Sequence, residues 1–165
     1  MIVADEILGR VDDARFSGRR VELLSVDWMS ALKRRQRRET DAGTDVAVAV
    51  DGGPYLFDGA VLADDGQRIV AVRRLAEPAL VVRLRDDDPE RRLRAAVLVA
   101  HAFGNQHVPL EVDGREIRIP LTTSREVAER TVEALGLDNV ELACEEVALG
   151  RERPLQGLRH HEHHH

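Results

Sequence analysis

Residues 78–112 read PALVVRLRDDDPERRLRAAVLVAHAFGNQHVPLEV, and this stretch predicts a strand, a helix and the start of a second strand. PALVVRL is β-prone, and the acidic run with its proline is typical of a helix start. The helix is predicted to end at Gly104 and Asn105, which best tolerate the left-handed backbone that terminates helices. Helix termination does not explain the next conspicuous residue, His107.

The segment after this stretch completes a repeating pattern of strands and helices. VPLEV, the Val-Asp-Gly turn at 112–114 and REIRIPL predict a hairpin. Ser124 is predicted to cap the helix SREVAERTVEALG, Gly136 to end it, and VELACEEVAL to form the last strand. The order β-α-β-β-α-β predicts a ferredoxin-like sandwich, in which two helices cover one face of a four-stranded antiparallel sheet.

The first half of the chain has a different pattern. Short β-prone runs such as VELLSV and TDVAVAV alternate with turn sequences such as DAG and DGGP. We therefore predict an α+β protein with three parts: an N-terminal antiparallel β domain at 1–77, a ferredoxin-like domain at 78–149, and a flexible histidine-rich tail at 150–165.

The charge and amino-acid composition of the chain argue against some classes of binding partner. The 165 residues carry a formal net charge of -6 and only 3% aromatic residues, which argues against nucleic-acid binding. KRRQRR at 33–38 is the best candidate for such binding, but acidic residues follow it directly, so a solvated charged strand is the preferred interpretation. We expect no membrane span and a cytoplasmic location. Cys144, the single cysteine, is predicted to be a buried residue on a strand face.

Histidines are concentrated in RHHEHHH at 159–165. Neutral imidazole is a preferred ligand of Ni, Cu and Zn, so we expect this segment to bind such metals adaptably. A purification tag is the alternative, although tags are usually unbroken histidine runs and Glu162 interrupts this one. The candidate ligands are His160, His161, His163, His164 and His165.

The other two histidines allow two interpretations each. His101 falls on the same face as Leu93 and Val97, where a histidine is either a core or interface residue or a ligand. His107 is either a helix-capping residue or, in a two-fold dimer, half of a metal site shared with a second His107. No nucleophile with a nearby base and no HExxH or CxxC motif is present, so a metal-dependent hydrolase has no support.

Two motifs that follow one another along the chain resemble those of the UreE family of urease accessory proteins, which are nickel metallochaperones. VDWMSALKRRQRRETDAGTDVAVAV followed by LFDGAVLADDG is similar to the β-rich N-terminal domain of that family. FGNQHVPLEV resembles its Gly-Asn-x-His motif leading into a strand, and a histidine-bearing tail follows. The order of these pieces within a βαββαβ layout is more specific than any piece alone.

The resemblance implies a homodimer in which His107 of each chain binds one shared Ni(II), with help from tail histidines, and Zn(II) as a second metal. It also implies delivery of nickel to apo-urease through a nickel-handling GTPase accessory protein, and no enzymatic activity. The N-terminal domain of the family resembles a peptide-binding module of Hsp40-type chaperones. The alternative function is a peptide- or protein-binding adaptor whose tail binds metal incidentally.

Metal binding by imidazoles predicts a pH dependence. Protonation removes the ligand lone pair, so affinity for Ni(II) should fall steeply below about pH 6. Equilibrium dialysis between pH 5 and pH 8 measures this. An affinity that stays constant down to pH 5 would contradict ligation by histidine.

Overall fold

The computed structural model describes residues 1–50 and 56–150, which form two compact units. One unit contains Met1–Leu75 together with Gly150, and the other contains Ala76–Leu149. The chain is mostly β-sheet, with three α-helices in the described residues.

The first unit contains two small sheets, a four-residue helix and a 3-10 turn. The first sheet has the order β1-β5-β4 and the second has the order β2-β6-β7-β3. The strands are β1 (Ile2–Ala4), β2 (Gly9–Arg10), β3 (Arg20–Val26), β4 (Arg35–Glu39), β5 (Asp45–Ala49), β6 (Ala60–Asp64) and β7 (Arg68–Arg74). The helix is α1 (Trp28–Ala31), and the 3-10 turn is Ala14–Phe16.

The predicted antiparallel character of this unit is wrong for two of its strand pairs. β1 pairs with β5 in parallel, and β3 pairs with β7 in parallel. The β-prone runs were predicted correctly. The alternation of apolar and polar residues, however, is the same whether a strand runs parallel or antiparallel to its neighbour. Only the route of the chain between β3 and β7, through three intervening strands, makes that pair parallel.

The core of the first unit is mostly aliphatic, as the low aromatic content predicts, and Phe57 is its aromatic member. Leu24, Val26, Val46, Val48 and Leu56 are among its fully buried members, and both sheets contribute to it. Because β5 alternates buried and half-buried residues, it presents one face to this core.

A buried carboxylate ties the two sheets of the first unit together. Glu22 is 2% exposed and accepts hydrogen bonds from Thr40 Oγ1 at 3.1 Å and from Arg68 Nη1 at 2.7 Å. Hydrogen bonds from Thr44 and then Arg68 lower the pKa of Glu22 to about 2, against an opposing effect of burial. The carboxylate is therefore ionised at every pH at which the protein is expected to function.

The second unit has the element order β-α-β-β-α-β. Its sheet has the strand order β11-β8-β10-β9, and every pair is antiparallel. The elements are β8 (Ala76–Leu84), α2 (Pro89–Gly104), β9 (Glu111–Asp113), β10 (Glu116–Pro120), α3 (Arg125–Glu133) and β11 (Val140–Ala148). The predicted strand VPLEV is shorter than expected, since β9 begins only at Glu111.

The predicted start of α2, the predicted cap of α3 and the predicted turn between β9 and β10 are confirmed. The side chain of Asp88 accepts a hydrogen bond from the Glu90 N–H at 2.9 Å, with Pro89 in the first helical turn. Ser124 caps α3 by accepting a hydrogen bond from the Val127 N–H at 3.3 Å. Gly114 has a φ of 58° at the tight turn between β9 and β10, where glycine adopts this backbone without a steric penalty.

Both helices pack on one face of the sheet. Leu80, Val82 and Leu84 of β8 and Ile117 and Ile119 of β10 meet apolar residues of α2 and α3. On the opposite face, Arg83 joins three strands, because its guanidinium contacts Glu116 at 2.9 Å and Glu145 at 2.6 Å.

We predict that Glu22→Gln lowers the free energy of unfolding at pH 7 by about 2 kcal/mol, the range for hydrogen bonds to a charged group. The folded pKa of about 2 lies below the ordinary 4.5, so this stabilisation is present above pH 4.5 and is lost as pH falls toward 2. The difference between wild type and variant should therefore shrink by about half at pH 3. Urea denaturation at pH 7 and pH 3 measures both values.

The exposed Glu39→Gln substitution in the same unit is the control and should change stability by less than about 0.5 kcal/mol. An equal effect of Glu22→Gln at the two pH values would contradict the role of the ionised carboxylate.

Candidate functional site

His107 lies in the turn that ends α2. The Val108 N–H donates to the Phe103 carbonyl at 3.0 Å, and the His107 N–H donates to the Gly104 carbonyl, also at 3.0 Å. These two bonds are the pair that defines a Schellman motif, with His107 at the position usually occupied by glycine. Val108 packs against the same apolar core as Phe103, which is the hydrophobic contact that accompanies this motif.

The left-handed residue at this helix end is His107, with a φ of 55°. The prediction that Gly104 and Asn105 would adopt that backbone is wrong, because Asn105 has a φ of −62° and Gly104 is the last residue of the helix. The helix ends at Gly104, as predicted, but the left-handed residue comes three positions later, because the Schellman bonds are made to the carbonyls of Phe103 and Gly104. A left-handed backbone costs a residue with a side chain roughly 1 kcal/mol.

The imidazole of His107 is exposed. Within residues 1–50 and 56–150, no hydrogen bond or ion pair to this imidazole is found. His107 therefore takes part in helix termination through its backbone, while its side chain remains available for ligation.

His101 is also exposed. Of the prediction that this residue is a core or interface residue, the core part is therefore wrong. The core face of α2 is formed by Ala95, Val99 and Phe103. The face with Leu93, Val97 and His101 points to solvent, and there Leu93 is 66% exposed and Val97 is 57% exposed. We call Leu93, Val97 and His101 the outer stripe of α2.

The sequence alone does not distinguish the two faces because apolar residues cover more than half of the helix circumference. Leu93, Val97 and His101 are spaced by four residues, and so are Ala95, Val99 and Phe103. Either series satisfies a helical period. A helix that packs on one side needs only one such series. The presence of two series in α2 could therefore have indicated a second, exposed apolar face.

The predicted tail ligands His160, His161, His163, His164 and His165 lie outside the described residues. Within residues 1–50 and 56–150, no group of three or more His, Cys, Asp or Glu side chains is placed to hold a metal ion. In that part of the chain, His107 and His101 are the two histidines, and both are on or next to one end of α2.

The other candidates have structural roles. Cys144 is half-buried against the core of the second unit, and burial raises the pKa of its thiol, which disfavours the thiolate that binds metal. Asp88 of the acidic run is the helix cap described above. KRRQRR is largely strand β4 and is solvated, as predicted.

Comparison with known proteins identifies the class. The chain matches a model of the UreE urease accessory protein, N-terminal domain, over residues 4–75, and one of the UreE urease accessory protein, C-terminal domain, over residues 77–165. The urease accessory protein UreE of Lysinibacillus sphaericus is 28% identical over 117 residues, 70% of this chain and 75% of that protein.

Two further relatives carry the same name. The protein of Natronomonas pharaonis is 34% identical over 125 residues, 76% of this chain and 56% of its own length. The protein of Yersinia mollaretii is 27% identical over 150 residues, 85% of this chain and 65% of its own length. The chain thus matches between about half and three quarters of the length of these relatives.

The chain belongs to the UreE family of urease accessory proteins. This confirms the resemblance found in the sequence. The family is one of accessory chaperones and contains no enzyme activity, as predicted. Among the described residues, no helix is both long and apolar enough to cross a membrane.

We predict that His107→Gly stabilises the fold by about 0.5–1 kcal/mol, because glycine adopts the left-handed backbone without the steric cost. Asn105→Gly is the matched control: its backbone is right-handed, so glycine should destabilise by a similar amount. Urea denaturation of the two variants and wild type measures the effect. If both variants shift stability in the same direction, His107 is not the strained residue of this turn.

Proposed function

We propose that this protein is a nickel carrier for urease maturation. A homodimer binds Ni(II) between the His107 residues of its two chains, with tail histidines as further ligands, and delivers the metal for assembly of the urease active site. The observation that carries the proposal is the exposed His107 imidazole in a strained, left-handed turn. Strain of this kind is retained where a side chain has a function that glycine could not supply.

The outer stripe of α2 supports the dimer. Leu93 and Val97 are large apolar residues more than half exposed on one helix face, and His101 continues that face toward the turn that holds His107. Exposed apolar patches of this kind are typical of protein–protein interfaces. If two copies pack these stripes about a two-fold axis that runs along α2, each copy contributes the same residues, and both His107 side chains lie toward the same end of the interface.

The ligand chemistry suits a carrier. Imidazole binds Ni(II) and Zn(II), and it exchanges with solvent or a competing ligand more readily than a thiolate cage does. A site with one fixed imidazole from each chain and further ligands from His160, His161, His163, His164 or His165 can lose its tail ligands one at a time. Nickel could then pass to a partner by ligand substitution, without release of the free ion.

The architecture supports different functions for the two parts of the chain. The βαββαβ order and the strand order β11-β8-β10-β9 support a ferredoxin-like metal-binding and dimerisation domain at 78–149. We assign the β-rich part at 1–77 to contacts with partner proteins. The proposed partners are apo-urease and the nickel-handling GTPase accessory protein, in the cytoplasm.

Equilibrium dialysis of Ni(II) at pH 7.5 tests the site in three full-length proteins: wild type, His107→Ala, and a variant with the five tail histidines changed to serine. We expect about one tight Ni(II) per dimer in wild type and in the tail variant, and at least a tenfold loss of affinity for that metal in His107→Ala. His101→Ala is the matched control for removal of an exposed histidine and should retain the tight site.

Light scattering of Val97→Glu tests the dimer, because a buried, unpaired carboxylate on each copy opposes association. We expect a monomer that has lost the shared metal and keeps the circular dichroism of wild type. If all tight nickel is lost with the tail histidines while His107→Ala binds as wild type does, the interface site is wrong.

A further inference from the structure

Strand β11 forms a long open edge of the sheet in the second unit. It is the outer strand in the order β11-β8-β10-β9, and among residues 1–50 and 56–150 its nine residues pair with β8 alone. The opposite edge, β9, has only three residues. An open edge presents backbone N–H and C=O groups that can pair with another extended chain, and β11 is long enough to hold several such pairs.

One hydrogen bond just beyond β11 shows which of its backbone groups face outward. The Arg85 N–H donates to the Asn139 carbonyl at 2.8 Å, and these two residues continue the β8–β11 register by one pair. Hydrogen-bonded and non-hydrogen-bonded pairs alternate along an antiparallel ladder, so the odd-numbered residues of β11 bond to β8. The N–H and C=O groups of Leu142, Cys144 and Glu146 therefore point away from the sheet.

The apolar side chains of β11 are incompletely buried. Leu142 and Cys144 pack against the core beneath α2 and α3, yet both are only half-buried. Their partners on β8, Val82 and Leu80, are fully buried in the same core. The core thus ends at β11 with apolar surface that an added strand would remove from water.

The other face of β11 is acidic. Glu141 accepts a hydrogen bond from Arg85 at 2.8 Å, and Glu145 contacts Arg83 at 2.6 Å. Arg83 is shared, because it also contacts Glu116 at 2.9 Å. β11 itself contains three glutamates and no lysine or arginine, so its carboxylates are only partly neutralised.

We propose that the outer edge of β11 binds an extended segment of a partner protein, in which basic and apolar residues alternate, as a fifth, antiparallel strand of this sheet. The apolar residues of the segment pack beside Leu142 and Cys144, and its basic residues contact Glu141 and Glu145. The antiparallel direction is that of the three strand pairs already present. β11 contains no histidine, and binding at this edge requires no metal.

A basic segment fits this edge better than a second copy of the chain does. Two copies of β11 paired antiparallel would bring the glutamates of both strands together, and like charges on neighbouring strands oppose pairing. Glu146 is exposed and has no ion-pair partner in the part of the chain that the structure describes, so it adds to this repulsion. The same charges attract lysine and arginine side chains.

Binding of a synthetic peptide tests the proposal. The probe is a fluorescent ten-residue peptide of alternating lysine and valine, titrated with the full-length protein at 50 mM salt and followed by anisotropy. We expect saturable binding to wild type and at least a fivefold loss of affinity in the double variant Glu141→Gln/Glu145→Gln. Glu39→Gln/Glu90→Gln removes the same charge at exposed positions outside β11 and should leave affinity within about twofold.

The variant Glu146→Pro tests the backbone pairing. The N–H of Glu146 points outward, so proline removes a donor from the open edge without breaking a hydrogen bond to β8. We expect the circular dichroism of wild type and at least a tenfold loss of affinity for the peptide. Glu146→Gln is the matched control for the lost charge and should bind within about threefold of wild type.

N-methylated peptides separate strand pairing from charge attraction in the wild-type protein. In an added antiparallel strand, the valines lie opposite Leu142 and Cys144 and direct their N–H groups toward β11. Methylation of the valine nitrogens should therefore weaken binding at least tenfold. Methylation of the lysine nitrogens of the backbone, which face away from β11, should leave affinity within about threefold.

Three results would overturn the proposal. The first is the absence of saturable peptide binding to wild type, and the second is an equal loss of affinity from the two methylated peptides. The third is a larger assembly for wild type than for Glu146→Pro in light scattering, together with no peptide binding, which would mean that a second copy occupies the edge.

Discussion

The packing of α2 on the four-stranded sheet through Ala95, Val99 and Phe103 is the contact on which the rest of the second unit depends. Burial of Phe103 fixes the residue at which the helix can end, because the Schellman bond from the Val108 N–H is made to its carbonyl. That bond places His107 in the left-handed position and directs its imidazole away from the core. The same packing turns Leu93 and Val97 toward solvent.

One packed face therefore produces both features that the proposed carrier needs. In this proposal the outer stripe offers an apolar surface to a second copy, and the end of the helix offers an imidazole that has no hydrogen bond or ion pair within residues 1–50 and 56–150. A metal held between chains can be bound firmly while the dimer persists and released by exchange of its mobile ligands. This arrangement suits a family whose role is maturation of urease rather than catalysis.

The first unit is stabilised in a different way. Its two sheets are joined at Glu22, whose ionised carboxylate is held by Thr40 and Arg68. Arg37 and Arg38 donate hydrogen bonds to neighbouring side chains. Lys33, Arg34 and Arg35 are exposed to solvent at the start of β4.

The sequence by itself determined the element order of the second unit, the helix caps at Asp88 and Ser124, the hairpin turn at Gly114, the candidate ligand His107 and the family, because local backbone chemistry and short motifs encode each of them. Tertiary structure alone decided that β3 and β7 run parallel and that the outer stripe of α2, including His101, faces solvent. It also decided that His107 rather than Asn105 adopts the left-handed backbone. In each of these cases the local sequence allowed two solutions of similar energy, and long-range burial selected one of them.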